Sequence, residues 1–104
     1  IVKEIKMGKS FVIVTDREGA KNYSKLINTA VLIWIVPPSL QVLKKRLIKR
    51  ATEIESEINM RIKLAENEIM REQNNKIFKY YIVNDNLEEA IEKICLIVIK
   101  ELLF

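Results

Sequence analysis

Histidine is absent from this 104-residue chain, cysteine occurs once and glycine twice. The missing imidazole excludes Ser-His-Asp catalysis, Cys-His catalysis and histidine-ligated zinc together. A single cysteine, Cys95, permits no internal disulfide and fits a reducing cytoplasm; its place in an apolar helical pattern predicts a core position. With so little glycine, a phosphate-cradling loop has nowhere to form. Gly8-Lys9-Ser10 lacks the preceding glycine of that motif and leads into a strand-like run where a helix is required. Charge is not concentrated either: 18 Lys and Arg against 14 Asp and Glu give +4, with the signs interleaved. A basic nucleic-acid arm is therefore not indicated, and a small basic nucleic-acid binder has only net charge behind it, without aromatic-basic interleaving. No apolar run has membrane length, because Asn28, Thr29, Pro37, Pro38, Ser39 and Gln41 interrupt the uncharged stretch from Leu26 to Leu43. No secretory signal is visible.

What is present suits one globular domain. Apolar residues make up 49% and charged residues 31%, an ordinary balance for a chain that buries a core. The chain opens on Ile1 already in helical pattern and reads as a segment whose front lies elsewhere. Ile1 to Met7 reads as a helix tail stopped by Gly8. Phe11 to Thr15 and Val31 to Val36 are short β-branched runs and predict buried strands, with a helix from about Gly19 to Leu26 between them. Together they predict a parallel β-α-β unit. Pro37-Pro38 ends the second strand, and Ser39 caps a helix with Leu40, Leu43 and Leu47 inward. Thr52-Glu-Ile-Glu55 reads as a capping box for a fresh helix with the stripe Ile54, Ile58, Ile62, Ala65, Ile69. Glu72 to Lys76 reads as a polar turn and Tyr80 to Val83 as a third, edge strand. Asn86 then caps a last helix whose inward stripe is Leu87, Ile91, Ile94, Val98 and Leu102. The expected class is α/β, a parallel β-sheet flanked by helices.

The chemistry concentrates after the second strand. Ligands of open parallel sheets bind outside the carboxyl ends of the strands. Just past this end the sequence supplies Arg46 and Arg50, one helical turn apart on a shared face, and later Arg61. A guanidinium is planar, permanently charged and matched to phosphate oxygens, so the layout points to a nucleotide phosphate site.

Five segments in register carry a resemblance. Asp16-Arg-Glu-Gly-Ala20, Ile35-Val-Pro-Pro-Ser-Leu40, Lys45-Arg-Leu47 leading to Arg50-Ala-Thr-Glu53, Arg61, and Ile82-Val-Asn-Asp85 resemble the carboxyl-terminal half of guanylate kinases over essentially the whole chain. The resemblance implies the C-terminal part of a phosphate-loop kinase fold, with residues from about Ala51 to Asn75 as a mobile lid and no phosphate loop in these 104 residues. It implies transfer of phosphate from ATP to GMP with Mg²⁺, whose ligands are not in this chain. Asp16 then matches an acid that helps hold guanine. Arg46 matches the arginine lying against adenine, Asn84 the asparagine beside adenine, and Arg50 and Arg61 the arginines that reach the transferring phosphates.

Two departures stand out. Val14 replaces the first acid of the family's Asp-x-Asp, and Lys49 and Ala51 stand where glycines usually flank the lid arginine. Each residue also has a plainer reading. Arg46, Arg50 and Arg61 could belong to solvated helix faces, Asp16 could be only a cap, and Asn84 only a turn former. Trp34 reads as core, and one of Tyr80 and Tyr81 as packed with the other wet. The rival function is a non-catalytic guanylate-kinase-like interaction module. Strands lacking their sheet neighbours would also leave an uncovered edge, a route to self-association.

Overall fold

The computed structural model describes residues 2–50 and 54–103. They form two compact units, Ile1–Leu32 and Ile33–Phe104.

In the first unit, α1 (Val2–Lys6) is followed by Gly8 at φ 88°, a backbone that costs a side chain energy and glycine little. The predicted stop is therefore where it was expected. The next expectation fails. Phe11 to Thr15 has no regular structure, and Val12 and Val14 are 86% and 98% exposed. Composition alone does not make a strand, because the backbone N–H and C=O groups need a partner ladder, and no described strand supplies one. Asp16, in extended backbone at φ −81° and ψ 178°, caps α2 (Arg17–Leu26), which starts two residues earlier than the pattern suggested. Gly19 is needed there for space, since a Cβ would fall 1.9 Å from the Thr15 hydroxyl.

The second unit holds β1 (Ile33–Val36), α3 (Leu40–Arg50), α4 (Glu55–Asn74), β2 (Tyr80–Val83) and α5 (Leu87–Leu103). The sheet partner of β1 is β2, and they run parallel with Ile33 opposite Tyr80 and Val36 opposite Val83. The predicted β-α-β unit through α2 is thus replaced by a crossover through α3 and α4. The class remains α/β, helix-rich with a small parallel sheet. Ser39 caps α3 as expected, its hydroxyl accepting from the Val42 N–H at 3.1 Å. Asn86 does the same for α5, accepting from Glu89 N–H at 3.2 Å. The capping box fares differently: Thr52 lies outside the described residues, and α4 opens at Glu55 behind Ile54 with no side-chain cap.

α3 packs on α4, and α5 on β2. Ile58, Ile82 and Ala90 are the buried apolar centre of this unit. Along α4 the stripe is mostly as read, with Ile58 buried, Ile62, Ala65 and Ile69 half-buried, and Ile54 exposed. Of the expected α5 stripe only Ile94 and Val98 are half-buried. Leu87, Ile91 and Leu102 are exposed, and so is Cys95, against its expected core position. A two-stranded sheet offers too little surface to cover a 17-residue apolar helix.

At its far end α5 is tied to β2 by Glu101, which accepts from Lys79 Nζ at 2.6 Å and Tyr80 Oη at 2.5 Å. Those bonds, Lys79 first, hold the Glu101 carboxyl below the usual range, and the same carboxylate holds the Lys79 ammonium above its own. A lowered carboxyl contributes stability above its unfolded pKa and loses it as pH falls through the folded value. Glu101→Gln should therefore shift the denaturation midpoint slightly at neutral pH and not at all in strong acid. Equal losses at both pH values would show that charge is not the cause.

Candidate functional site

The carboxyl ends of β1 and β2 lie side by side, and the Asn84 N–H donates to the Val36 carbonyl at 2.7 Å. Both chains must leave the sheet here. Pro37-Pro38 turns the first away, since proline offers no donor for another rung, and Ser39 starts α3 immediately beyond. Between this helix and the strand ends lies a cleft of about 190 Å³. Val36, Pro37, Leu43 and Leu47 give it apolar walls, and Arg46, Arg50 and Asn84 supply its polar groups. Arg46 and Arg50 reach it together because a spacing of four stacks them on one helix face.

Arg46 is half-buried, and its Nη2 donates to the Asp85 carbonyl at 3.5 Å, a contact long enough to yield to a ligand. Arg50 is exposed at the last turn of α3. Asn84, half-buried, offers an amide that both donates and accepts. An apolar slot, a bidentate amide and two fixed positive charges suit a planar heterocycle carrying anionic groups.

Two predicted site residues are not among those lining this cleft. Arg61 is exposed on α4 and is not among the residues lining it. Asp16 belongs to the first unit, where its Oδ1 accepts from the Gly19 N–H at 2.8 Å, so the plainer capping role is real. No group of three His, Cys, Asp or Glu among the described residues could hold a metal ion. No helix of the described residues is long and apolar enough to cross a membrane.

The guanylate kinase family model matches residues 1–101. This chain belongs to the guanylate kinase family. It is 36% identical to the guanylate kinase of Thermotoga maritima over 101 residues, covering 97% of this chain and 47% of that protein. Similar figures, 33% identity with 97% and 48% covered, hold for the guanylate kinase of Coxiella burnetii. The guanylate kinase of Caldanaerobacter subterraneus is 35% identical, with 97% and 48% covered. The chain therefore spans about half the length of the curated relatives it matches.

Sequence reasoning missed Glu72. Only 4% exposed, it accepts from Ile77 N–H at 3.1 Å through Oε1 and from Phe78 N–H at 3.2 Å through Oε2. The Tyr81 hydroxyl donates to it as well. The signal was available. Ile58, Ile62, Ala65 and Ile69 step by four, three and four, so the next inward position is 72. A carboxylate on an apolar stripe needs donors from elsewhere in the fold.

Proposed function

We propose that this chain supplies the ATP-side cleft and the phosphate-neutralising arginines of a guanylate kinase, which transfers phosphate from ATP to GMP to give ADP and GDP. The observation that carries this reading is one cleft at the sheet's carboxyl end gathering Arg46, Arg50 and Asn84. In it, the adenine lies among the apolar walls with its edge on the Asn84 amide and its face against the Arg46 guanidinium. Arg50, and Arg61 delivered by the α4 arm, then compensate charge on the phosphate oxygens. Phosphoryl transfer asks for alignment and charge compensation, with little covalent work for the protein, so the lack of histidine is no obstacle. Asp16 helps hold the guanine of the acceptor, using the capacity of a carboxylate to accept more than the one capping bond. Mg²⁺ would come with ATP. The described residues offer it no cluster of ligands, so none of them is given a metal-binding role.

These 104 residues contain no Gly-x-x-x-x-Gly-Lys-Ser/Thr segment. The isolated chain should accordingly bind ATP weakly and form no GDP. GDP produced by rigorously purified chain would remove the claim that groups outside it are indispensable. The cytoplasm is the compartment this reading implies. We also expect self-association, because Val12, Val14 and the α5 residues Leu87, Ile91 and Leu102 leave apolar surface open.

The direct test is an ATP titration followed by NMR. Amide and side-chain signals of Arg46 and Asn84 should shift together and saturate, with ATP preferred over CTP. Shifts scattered over surface lysines, without these two residues, would favour the interaction-module reading.

A further inference from the structure

β2 is an ambiguous strand. Its sequence, Tyr80-Tyr81-Ile82-Val83, moved along by one position, still puts a tyrosine at position 80 and a β-branched aliphatic residue at position 82. It pairs over only four residues with a single neighbour, so few ladder bonds fix its place. Consider the slip that moves each residue one place toward the start of β2. Tyr81 would take the place of Tyr80, and Val83 that of the buried Ile82, losing one methylene. Ile82 would sit where Tyr81 is half-exposed. Asp85 would arrive where Asn84 now stands, beside Arg46 and Arg50. Burial at position 82, the buried position of β2, barely separates the two arrangements, although a one-residue slip normally exposes a whole apolar face.

We propose that Glu72 is a positioning residue that fixes this register, and with it the identity of the polar side chain in the cleft. Its carboxylate takes two consecutive backbone N–H groups, Ile77 and Phe78, just before β2 begins. It also takes the hydroxyl of Tyr81, and so distinguishes the two tyrosines. Trp34 adds to the selection from β1. Its ring lies 5.0 Å from Phe78 and is stacked at 6.3 Å on Tyr81. In the slipped arrangement Trp34 would face Ile82 and Glu72 would lose its phenol. A carboxylate is required because three donors converge on two oxygens. Glutamine would keep one acceptor and aim an NH₂ at the remaining donors. The consequence for the site is electrostatic. Asp85 in the cleft would neutralise the two arginines and repel an anionic ligand, whereas Asn84 leaves their charge available.

The nucleotide arm of the test rests on the reading of the cleft given above; the register arm does not. In the whole chain, Glu72→Gln should weaken the Trp34–Tyr81 cross-strand NOE and bring up a Trp34–Ile82 NOE. ATP affinity should fall about tenfold, the scale of one hydrogen bond to a charged acceptor. Tyr81→Phe, which keeps both backbone bonds, should move both readouts in the same direction by less and keeps the test open if Glu72→Gln fails to fold. Ile58→Val, a loss of packing in the same helix, should leave the NOE pattern unchanged at equal folded fraction. The decisive comparison is Asp85→Asn in both backgrounds. It should restore ATP affinity several-fold more beside Glu72→Gln than in the wild type, because only the slipped strand puts the position-85 side chain where Asn84 now lines the cleft. An unaltered Trp34–Tyr81 NOE in Glu72→Gln, or an equal effect of Asp85→Asn in both backgrounds, overturns the proposal. If the wild type shows no ATP-dependent shifts, the nucleotide reading falls, and the NOE pattern alone decides the role of Glu72.

Discussion

Arg50→Ala should lower kcat for GMP phosphorylation about a thousandfold, the scale of losing an arginine that meets transition-state charge. The setting is a chimera in which residues 1–101 replace the matching segment of the Thermotoga maritima guanylate kinase, to which they are 36% identical. Arg50 sits at the last turn of α3 on the same face as Arg46, at the rim of the cleft. From there its guanidinium can meet charge that grows on the phosphate oxygens during transfer. An interaction made only in the transition state is lost from kcat and from kcat/KM equally. The KM for ATP should therefore hardly move. Arg61→Ala should behave alike if the α4 arm delivers it. Arg46→Ala, which removes a surface for the adenine, should act chiefly on the KM for ATP. Unchanged kinetics for both Arg50→Ala and Arg61→Ala would return these residues to the solvated helix face.

The second large effect concerns the core. Ile82→Ala should unfold the second unit, and Val83→Ala should be nearly silent. The two residues are adjacent on β2, yet Ile82 is 3% exposed and Val83 is on the open side. Truncating a buried isoleucine costs about 2–5 kcal/mol. Whole domains are stable by only about 5–15 kcal/mol, and this unit has few fully buried apolar residues to compensate. Circular dichroism with a denaturant series would separate the two variants. Similar midpoints for both would mean that this sheet has no preferred inner face.

Much of the candidate cleft's local geometry could be read before the fold was known, because its signals are local. Arg46 and Arg50 share a face by helical period, Pro37-Pro38 marks a strand end, and Ser39 and Asn86 carry the capping chemistry that the helix starts require. The failures share a different cause, since they depend on partners distant in sequence. Phe11 to Thr15 has the composition of a strand but no ladder to join among the described residues. Cys95 and Leu102 have the periodicity of buried residues on a helix with little to cover it. Glu72 looked like part of a polar turn because its donors, Ile77, Phe78 and Tyr81, are assembled only when α4 and β2 meet. Tyr81 against Tyr80 was undecidable from alternation alone for the same reason.

The most direct measurement is GDP formation from ATP and GMP by the unmutated chimera, alongside ATP binding to the same preparation. Turnover that depends on Arg50, with ATP-induced shifts at Arg46 and Asn84, is the expected result. A folded chimera that binds ATP at this cleft yet makes no GDP would contradict the kinase reading.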